Sequence, residues 1–213
     1  MNPQDISTLL DWKRRVCALY ERIRFTEDPL QAWDDWRRTR DALFKTHPQS
    51  PIPEAHRAVY AGIPVFDYAA NLRVVGNMRR AEESEIQIPD SGGTTVVFTR
   101  FAVVDFTVDG EDRALDVFWL NGYGGGVFLP FKDATAGKST YGAGRYLFDT
   151  VKGADLGGTG GQLILDFNFA YNPSCSYDPK WVCPLAPPGN RLDVPIEAGE
   201  RAKAEGPPSG SPS

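Results

Sequence analysis

The residues best equipped for chemistry crowd into the C-terminal third of the chain. Asp166, Asn168, Asn172, Cys175, Tyr177, Cys183 and Asn190 lie in one stretch, punctuated by Pro173, Pro179, Pro184, Pro187, Pro188 and Pro195. Prolines fix φ and remove backbone donors, so much of this stretch is irregular and its polar side chains need other partners. Alternation across Leu163–Ala170 predicts a strand with Leu163, Leu165, Phe167 and Phe169 on a core face and Ile164, Asp166, Asn168 and Ala170 on the other. An Asp and an Asn projecting side by side can orient a substrate, hold a cation or anchor a loop.

Cys175 and Cys183 flank the loop SYDPKWV. Three readings compete for them. A disulfide would staple the loop but conflicts with a reducing compartment. A metal site wants further Cys or His ligands, and neither His47 nor His56 is near in sequence, so no metal is expected. Two reduced thiols leave Cys175 as a candidate nucleophile that lacks an adjacent base. Upstream, FKDATAGKSTYGAGRYL gathers Asp133, Thr135, Thr140, Tyr141 and Arg145 around two turns. Gly137-Lys138-Ser139 superficially matches a phosphate loop, but the first glycine of that motif is Lys132 here and a strand follows instead of a helix. The NGYGGG run reads as a hairpin turn, and no cofactor is expected.

The remaining elements must position these groups. Hydrophobic residues make up 41% of 213, enough for one globular domain with a substantial core. A helix is predicted over residues 5–24, with Ile6, Leu9, Leu10, Val16, Cys17, Tyr20 and Ile23 on its buried face. A second starts at an Asp28 cap with Pro29 in its first turn and Gln31 completing a capping box. Its packing stripe holds Trp33, Trp36, Leu43 and Phe44, and it stops at Pro48. Strands follow over 72–78, 84–88, 95–101, 104–108, 113–120, 127–131, 145–150 and 163–170, with a weak edge strand over 192–196. Asp109-Gly110 is a hairpin turn. Together these predict a mainly β (α+β) fold, an antiparallel β-sandwich or partly closed β-barrel with two N-terminal helices. The chain divides into a single domain over 1–200, helical to residue 47 and β-rich from 60, and a disordered tail over 201–213.

Net charge is −5, and the arginines of the first 40 residues alternate with acids. That pattern argues against a nucleic-acid surface. No apolar run spans a bilayer, and the N-terminal charges follow too short an apolar stretch for a secretory leader, so a cytoplasmic location and no membrane partner are expected.

Beyond these patterns, the span from Phe131 to Glu200 resembles an uncharacterised bacterial family, the domain of unknown function DUF1684. The resemblance rests on F-x-D-x-T at 131–135, T-Y-x-x-G-R-Y-L at 140–147, D-F-N-x-A-Y-N-P-x-C-x-Y at 166–177, C-P-L-x-P-P-x-N-R-L at 183–192 and I-x-A-G-E at 196–200, with HPQSPI at 47–52 and AGIPVF at 61–66. Ala186 and Gly189 stand where relatives more often carry Pro and Glu. Many relatives also carry a leader that this N-terminus does not match. The resemblance implies the same fold and the same site region, and brings no activity.

Three functions therefore stand open. The first is small-molecule binding in a polar pocket of a β-domain, formed by Thr140, Tyr141, Arg145, Asn168, Asn172, Tyr177 and Asn190. The second is a hydrolase using Asp166 or Asp133 as acid/base and Cys175 as nucleophile. In the third, the motif is only a clasp that holds the C-terminal segment over a barrel end.

Overall fold

A computed structural model describes residues 2–202. Helix α1 runs from Pro3 to Phe25, its first turn capped by Asn2, whose Oδ1 accepts from Gln4 N at 3.0 Å. Helix α2 spans Pro29–Thr46. Asp28 caps it by accepting from Leu30 N at 2.9 Å, and Pro29 supplies a helix-ready φ where no N–H is needed. Both tryptophans of α2 are buried: Trp36 donates to the Tyr20 hydroxyl at 3.2 Å and meets Phe169 edge-on at 5.5 Å.

The face expected of α1 is only half used. Of its residues Tyr20 and Ile23 are buried and Val16 is half-buried, while Ile6, Leu9, Leu10 and Cys17 are exposed; Leu19, outside the expected face, is buried as well. The helices run antiparallel, and α1 is the longer. His47, just past the end of α2, meets Asp11 at 3.1 Å, and Gln49 reaches Thr8 at 2.9 Å, so the first turns of α1 overhang their partner.

After the short helix α3 (Glu54–Arg57), six strands follow: β1 (Arg73–Pro89), β2 (Thr95–Val108), β3 (Glu111–Leu120), β4 (Gly126–Phe131), β5 (Arg145–Asp149) and β6 (Gln162–Asp166). They form one antiparallel sheet in the order β5-β4-β3-β2-β1-β6, curled into a half-barrel. The two segments predicted at 72–78 and 84–88 are one strand, β1, and those at 95–101 and 104–108 are β2. The alternation breaks in both because the ladder is bulged there. Arg80 pairs with Ala102 but Ser84 with Arg100, and the β2–β3 register shifts between Arg100 and Ala102. Irregularities aligned on neighbouring strands bend the sheet. The Asp109-Gly110 turn has φ of 52° and 79°, as a tight hairpin of this hand requires.

Two predicted strands differ. β6 ends at Asp166, and Phe167–Phe169 form a 3₁₀ turn instead of continuing. All three turn residues are buried, so the two-faced pattern does not persist past Asp166. Residues 192–196 form no strand. Pro195 lacks an N–H, and the segment is held by Leu192 N on the Lys132 carbonyl, by Ala134 N on the Val194 carbonyl and by side chains at Ile196, with Lys132↔Arg191 as a single parallel bridge. The turn at 167–169 redirects the chain from one sheet edge toward the other. Tyr146 N and Tyr171 N each donate to the other's carbonyl at 2.9 and 3.0 Å, so β5 is linked to the segment following β6. The core inside holds Val104, Phe106, Val108, Leu115, Phe131 and Phe167, with Phe131 and Phe167 meeting edge-on at 5.2 Å. Of the tail predicted over 201–213, Arg201 and Ala202 are tied by backbone bonds to Pro64 and Ser139, and the rest lies outside the described residues.

Gly199 shows how closely the C-terminal segment fits. Its φ is +75°, and a Cβ there would lie 2.4 Å from the Ala170 carbonyl oxygen and 2.8 Å from that of Phe167. Both obstacles are backbone, so relief requires moving the turn after β6. Gly199→Ala is expected to destabilise the protein by about 3 kcal/mol or more, combining a left-handed strain with overpacking. Urea unfolding midpoints of the variant and the natural chain measure it.

Candidate ligand-binding site

Two buried ion pairs shape the region. Arg145 begins β5, and its side chain is 1% exposed. Nη2 donates to Asp133 Oδ1 at 3.2 Å and to the Ile196 carbonyl at 2.9 Å, and Nη1 donates to the carbonyls of Ala198 and Glu200. The other oxygen of Asp133 accepts from Thr135 Oγ1 at 2.6 Å and Ile196 N at 2.8 Å. Burial pulls the Arg145 pKa down, and the Asp133 carboxylate opposes it.

The second pair joins Arg40 of α2 to Glu200, which is fully buried. Arg40 Nε donates to Oε1 at 2.9 Å, with Nη2 on the same oxygen. Oε2 accepts from Asn172 N at 2.7 Å and from the Tyr177 hydroxyl at 2.8 Å. The guanidinium lies about 5 Å from the rings of Trp36, Phe44 and Tyr171. Burial and then the neighbouring Glu200 charge push the Tyr177 pKa well up, keeping that hydroxyl a donor. Neither Arg40 nor Glu200 is among the sequence candidates. Arg40 had a signal: it falls at helical spacing from Trp36 and Phe44, inside an otherwise apolar stripe.

Asp166 and Asn168 do not project side by side from a strand. Asp166 caps the 3₁₀ turn, its Oδ1 accepting from Asn168 N at 3.1 Å and Asn168 Nδ2 at 2.8 Å. Asn168 grips the backbone of Ala69, accepting from its N–H at 2.8 Å and donating to its carbonyl at 2.9 Å. Asn190 does the same for the sheet. Its Nδ2 donates to the carbonyls of Pro130 and Asp116 at 2.8 and 2.9 Å, and its Oδ1 accepts from Asp116 N at 3.0 Å.

A cavity of about 1060 Å³ opens between the segment around α3 and the turns before β5. It brings together Thr140, Tyr141, Asn172 and Tyr177 of the expected set. Asp133, Arg145, Asp166, Asn168 and Asn190 do not line it. The cavity also holds residues absent from that set: Lys138 and Arg201 supply cationic groups and His56 an imidazole, and no Asp or Glu lines it. Nor do these three side chains have a carboxylate within 4 Å among the described residues. Two acids behind the wall are committed elsewhere: the half-buried Asp41, whose Oδ1 accepts from the Tyr60 hydroxyl and Ile63 N, both at 2.8 Å, and the buried Glu200, which is paired with Arg40. Lys138 belongs to the Gly137-Lys138-Ser139 run that fails as a phosphate loop, and it serves instead as a lone cation on the wall.

Cys175 precedes the lining residues Ser176 and Tyr177, and its Sγ lies 3.9 Å from the hydroxyl of Tyr141. No His partners it through a hydrogen bond in the described residues. His47 is occupied by Asp11 and by Gln49 N, which donates to its Nδ1 at 3.0 Å. No group of three or more metal-ligating side chains occurs among the described residues.

A scan of protein-family models matches residues 58–201 to a protein of unknown function, DUF1684. The chain belongs to this family. Among solved structures, it is similar to an uncharacterized protein of Haloarcula marismortui (gene locus rrnAC0354), determined by solution NMR. The two share 33% identity over 80% of this chain and 92% of that one, with a TM-score of 0.58. This relative is archaeal, so the likeness is not confined to bacteria. No curated protein matches. Among the described residues, no helix is long and apolar enough to cross a membrane.

Two outcomes follow from the buried charges. Glu200→Ala leaves Arg40 buried without its counter-charge and is expected to cost about 3–5 kcal/mol, whereas Arg40→Met combined with Glu200→Gln restores much of that loss; chemical denaturation of the three variants measures it. Asp166 gives a pH signature. Burial pushes its pKa up to about 6, against the lowering by Asn168 and Arg73. A carboxyl with a raised folded pKa binds its proton more tightly when folded. Its contribution therefore favours the fold below the unfolded value of about 4 and is lost as pH rises toward 6. The Asp166→Asn variant is expected to show a flatter dependence of unfolding free energy on pH between about 4 and 6 than the natural chain.

Proposed function

We propose that the protein binds a small anionic molecule in the cavity lined by Thr140, Tyr141, Asn172 and Tyr177. One observation carries the reading: two cations, Lys138 and Arg201, line it from separate segments with the His56 imidazole as a further hydrogen-bonding group, and no acidic side chain is on the walls. A carboxylate or phosphate would replace water around these cations, and the Ser139 and Tyr141 hydroxyls add donors. Tyr60 and Tyr177 turn their hydroxyls to the carboxylates of Asp41 and Glu200 and offer ring surface to an organic body.

The clasp reading describes the other residues. Asp133, Arg145, Asp166, Asn168 and Asn190 spend their polar atoms on backbone and on one another. The acid/base reading has less support, since neither Asp133 nor Asp166 borders the cavity.

The test is a calorimetric and thermal-shift screen of the full chain against small carboxylates and phosphates. A stabilising acid is expected, and Lys138→Ala should weaken it by about ten-fold, the loss of one charge-assisted contact, without moving the unliganded melting temperature. Asn190→Ala should do the reverse, lowering stability by about 2–3 kcal/mol through three lost hydrogen bonds while leaving affinity unchanged. Absence of any stabilising anion, or equal binding by Lys138→Ala, would sink the proposal.

A further inference from the structure

We infer that a second cavity, between the helices and the β6 edge of the sheet, binds a small neutral hydroxyl compound, with a one-ring phenol as the class that fits. This cavity measures about 250 Å³ and shares no lining residue with the larger one. Ile23 of α1, Pro29 and Ala32 of α2, Leu156, Ile164 of β6 and Phe169 give it an apolar wall. Three charged side chains also border it: Arg24, Arg73 and Asp166. An apolar cavity with a few convergent polar groups is the usual form of a small-molecule site. An apolar cavity of about 150 Å³ can take benzene, so this one has room for a ring with a short substituent.

Asp166 carries the assignment. Its side chain is 2% exposed. The turn after β6 uses only one of its oxygens: Oδ1 accepts from Asn168 N at 3.1 Å and Nδ2 at 2.8 Å. Oδ2 accepts no hydrogen bond from the described residues. Its ion-pair partner, Arg73 Nε, stands 3.5 Å away, and that guanidinium donates no hydrogen bond among the described residues. A buried carboxylate oxygen left without a donor is costly. Burial accordingly pushes the Asp166 pKa up to about 6, against the lowering by Asn168 and Arg73. The polar group of a ligand here must donate to Oδ2 beside a guanidinium with donors to spare. A hydroxyl donates and accepts at one atom and so serves both. An ammonium donates but cannot accept, and Arg24 and Arg73 repel it. A carboxylate accepts from Arg73 but places a second negative charge beside Asp166. Arg24 is turned to Asp155, donating to its carbonyl at 2.8 Å, and acts as wall.

The test uses the full chain with methyl-labelled isoleucine and leucine, titrated with para-cresol and followed by proton–carbon NMR. Shifts are expected at Ile23, Leu156 and Ile164, and none at Ile52, which lines the larger cavity. Benzylamine and benzoate, charged probes of similar size, should bind this cavity about ten-fold more weakly or worse. Para-xylene carries a methyl group in place of the hydroxyl. In Asp166→Asn an N–H donor takes the place of the free acceptor, so the preference for para-cresol over para-xylene should fall about ten-fold while para-xylene binding is unchanged. The proposal is overturned if para-cresol leaves Ile23, Leu156 and Ile164 unmoved, if it shifts Ile52 instead, if either charged probe binds this cavity as tightly, or if Asp166→Asn keeps the preference. The methyl map and the charged probes on the natural chain decide the matter even if Asp166→Asn does not fold.

Discussion

Everything around the cavity hangs on the carboxylate of Glu200, buried with no exposed surface. An unpaired carboxylate there would be untenable, since desolvation alone costs several kcal/mol per ion. Four donors from three places meet it: two from Arg40 on α2, the Asn172 backbone and the Tyr177 hydroxyl. One side chain at the end of the family motif thus fixes helix, loop and C-terminal segment relative to each other. Such a pair adds little net stability over a well-packed apolar substitute, but only one arrangement satisfies it. It therefore selects a unique docking of α2 on the sheet.

Arg145 solves a different problem with the same chemistry. The segment from Ile196 to Glu200 belongs to no ladder, yet its carbonyls are buried and must be met. A neighbouring strand would supply N–H groups at regular spacing. Here one guanidinium reaches the carbonyls of Ile196, Ala198 and Glu200, and Asp133 neutralises it while accepting from Ile196 N. The planar fork of arginine suits this work because several donors are held rigidly on one group. Lysine could not span the same carbonyls. The irregular, proline-marked chain is thus rigid without being a strand, and it can turn its remaining groups toward the cavity.

Much of the fold was legible in the sequence because its local signals agree with the tertiary outcome. The Asp28-Pro29 cap, the Trp33/Trp36 stripe, the Val104, Phe106, Val108 alternation and the Asp109-Gly110 turn each have a local cause, and each occurs in the structure. What failed has a non-local cause. The bulge that joins two predicted strands into β1 depends on pairing with β2. The strand that stops at Asp166 does so because its side chain caps a turn gripping Ala69, far away in sequence. For the candidate site, the motif residues divide into two kinds. Thr140, Tyr141, Asn172 and Tyr177 line the cavity, while Arg145, Asn168 and Asn190 point into the clasp. Residue type cannot separate an asparagine that holds a backbone from one that borders a cavity. Only the fold brings Lys138, His56 and Arg201 to one place.

Charge then limits what the cavity suits. The whole chain carries −5, so an anion approaching from a distance meets a repelling field. Salt screens that field over about 8 Å at physiological ionic strength, and within that range the nearest fixed charges dominate. On the cavity wall those charges are cations; of the acids behind it, Glu200 is paired with Arg40, Asp178 with Lys180, and Asp41 is hydrogen-bonded to Tyr60 and Ile63. A small anion fits wholly inside this local field. A long polyanion such as a nucleic acid would extend across the acidic surface beyond it and would lose there what it gained in the cavity. Under the proposed binding function, a compact acid would therefore suit the cavity better than a nucleic acid.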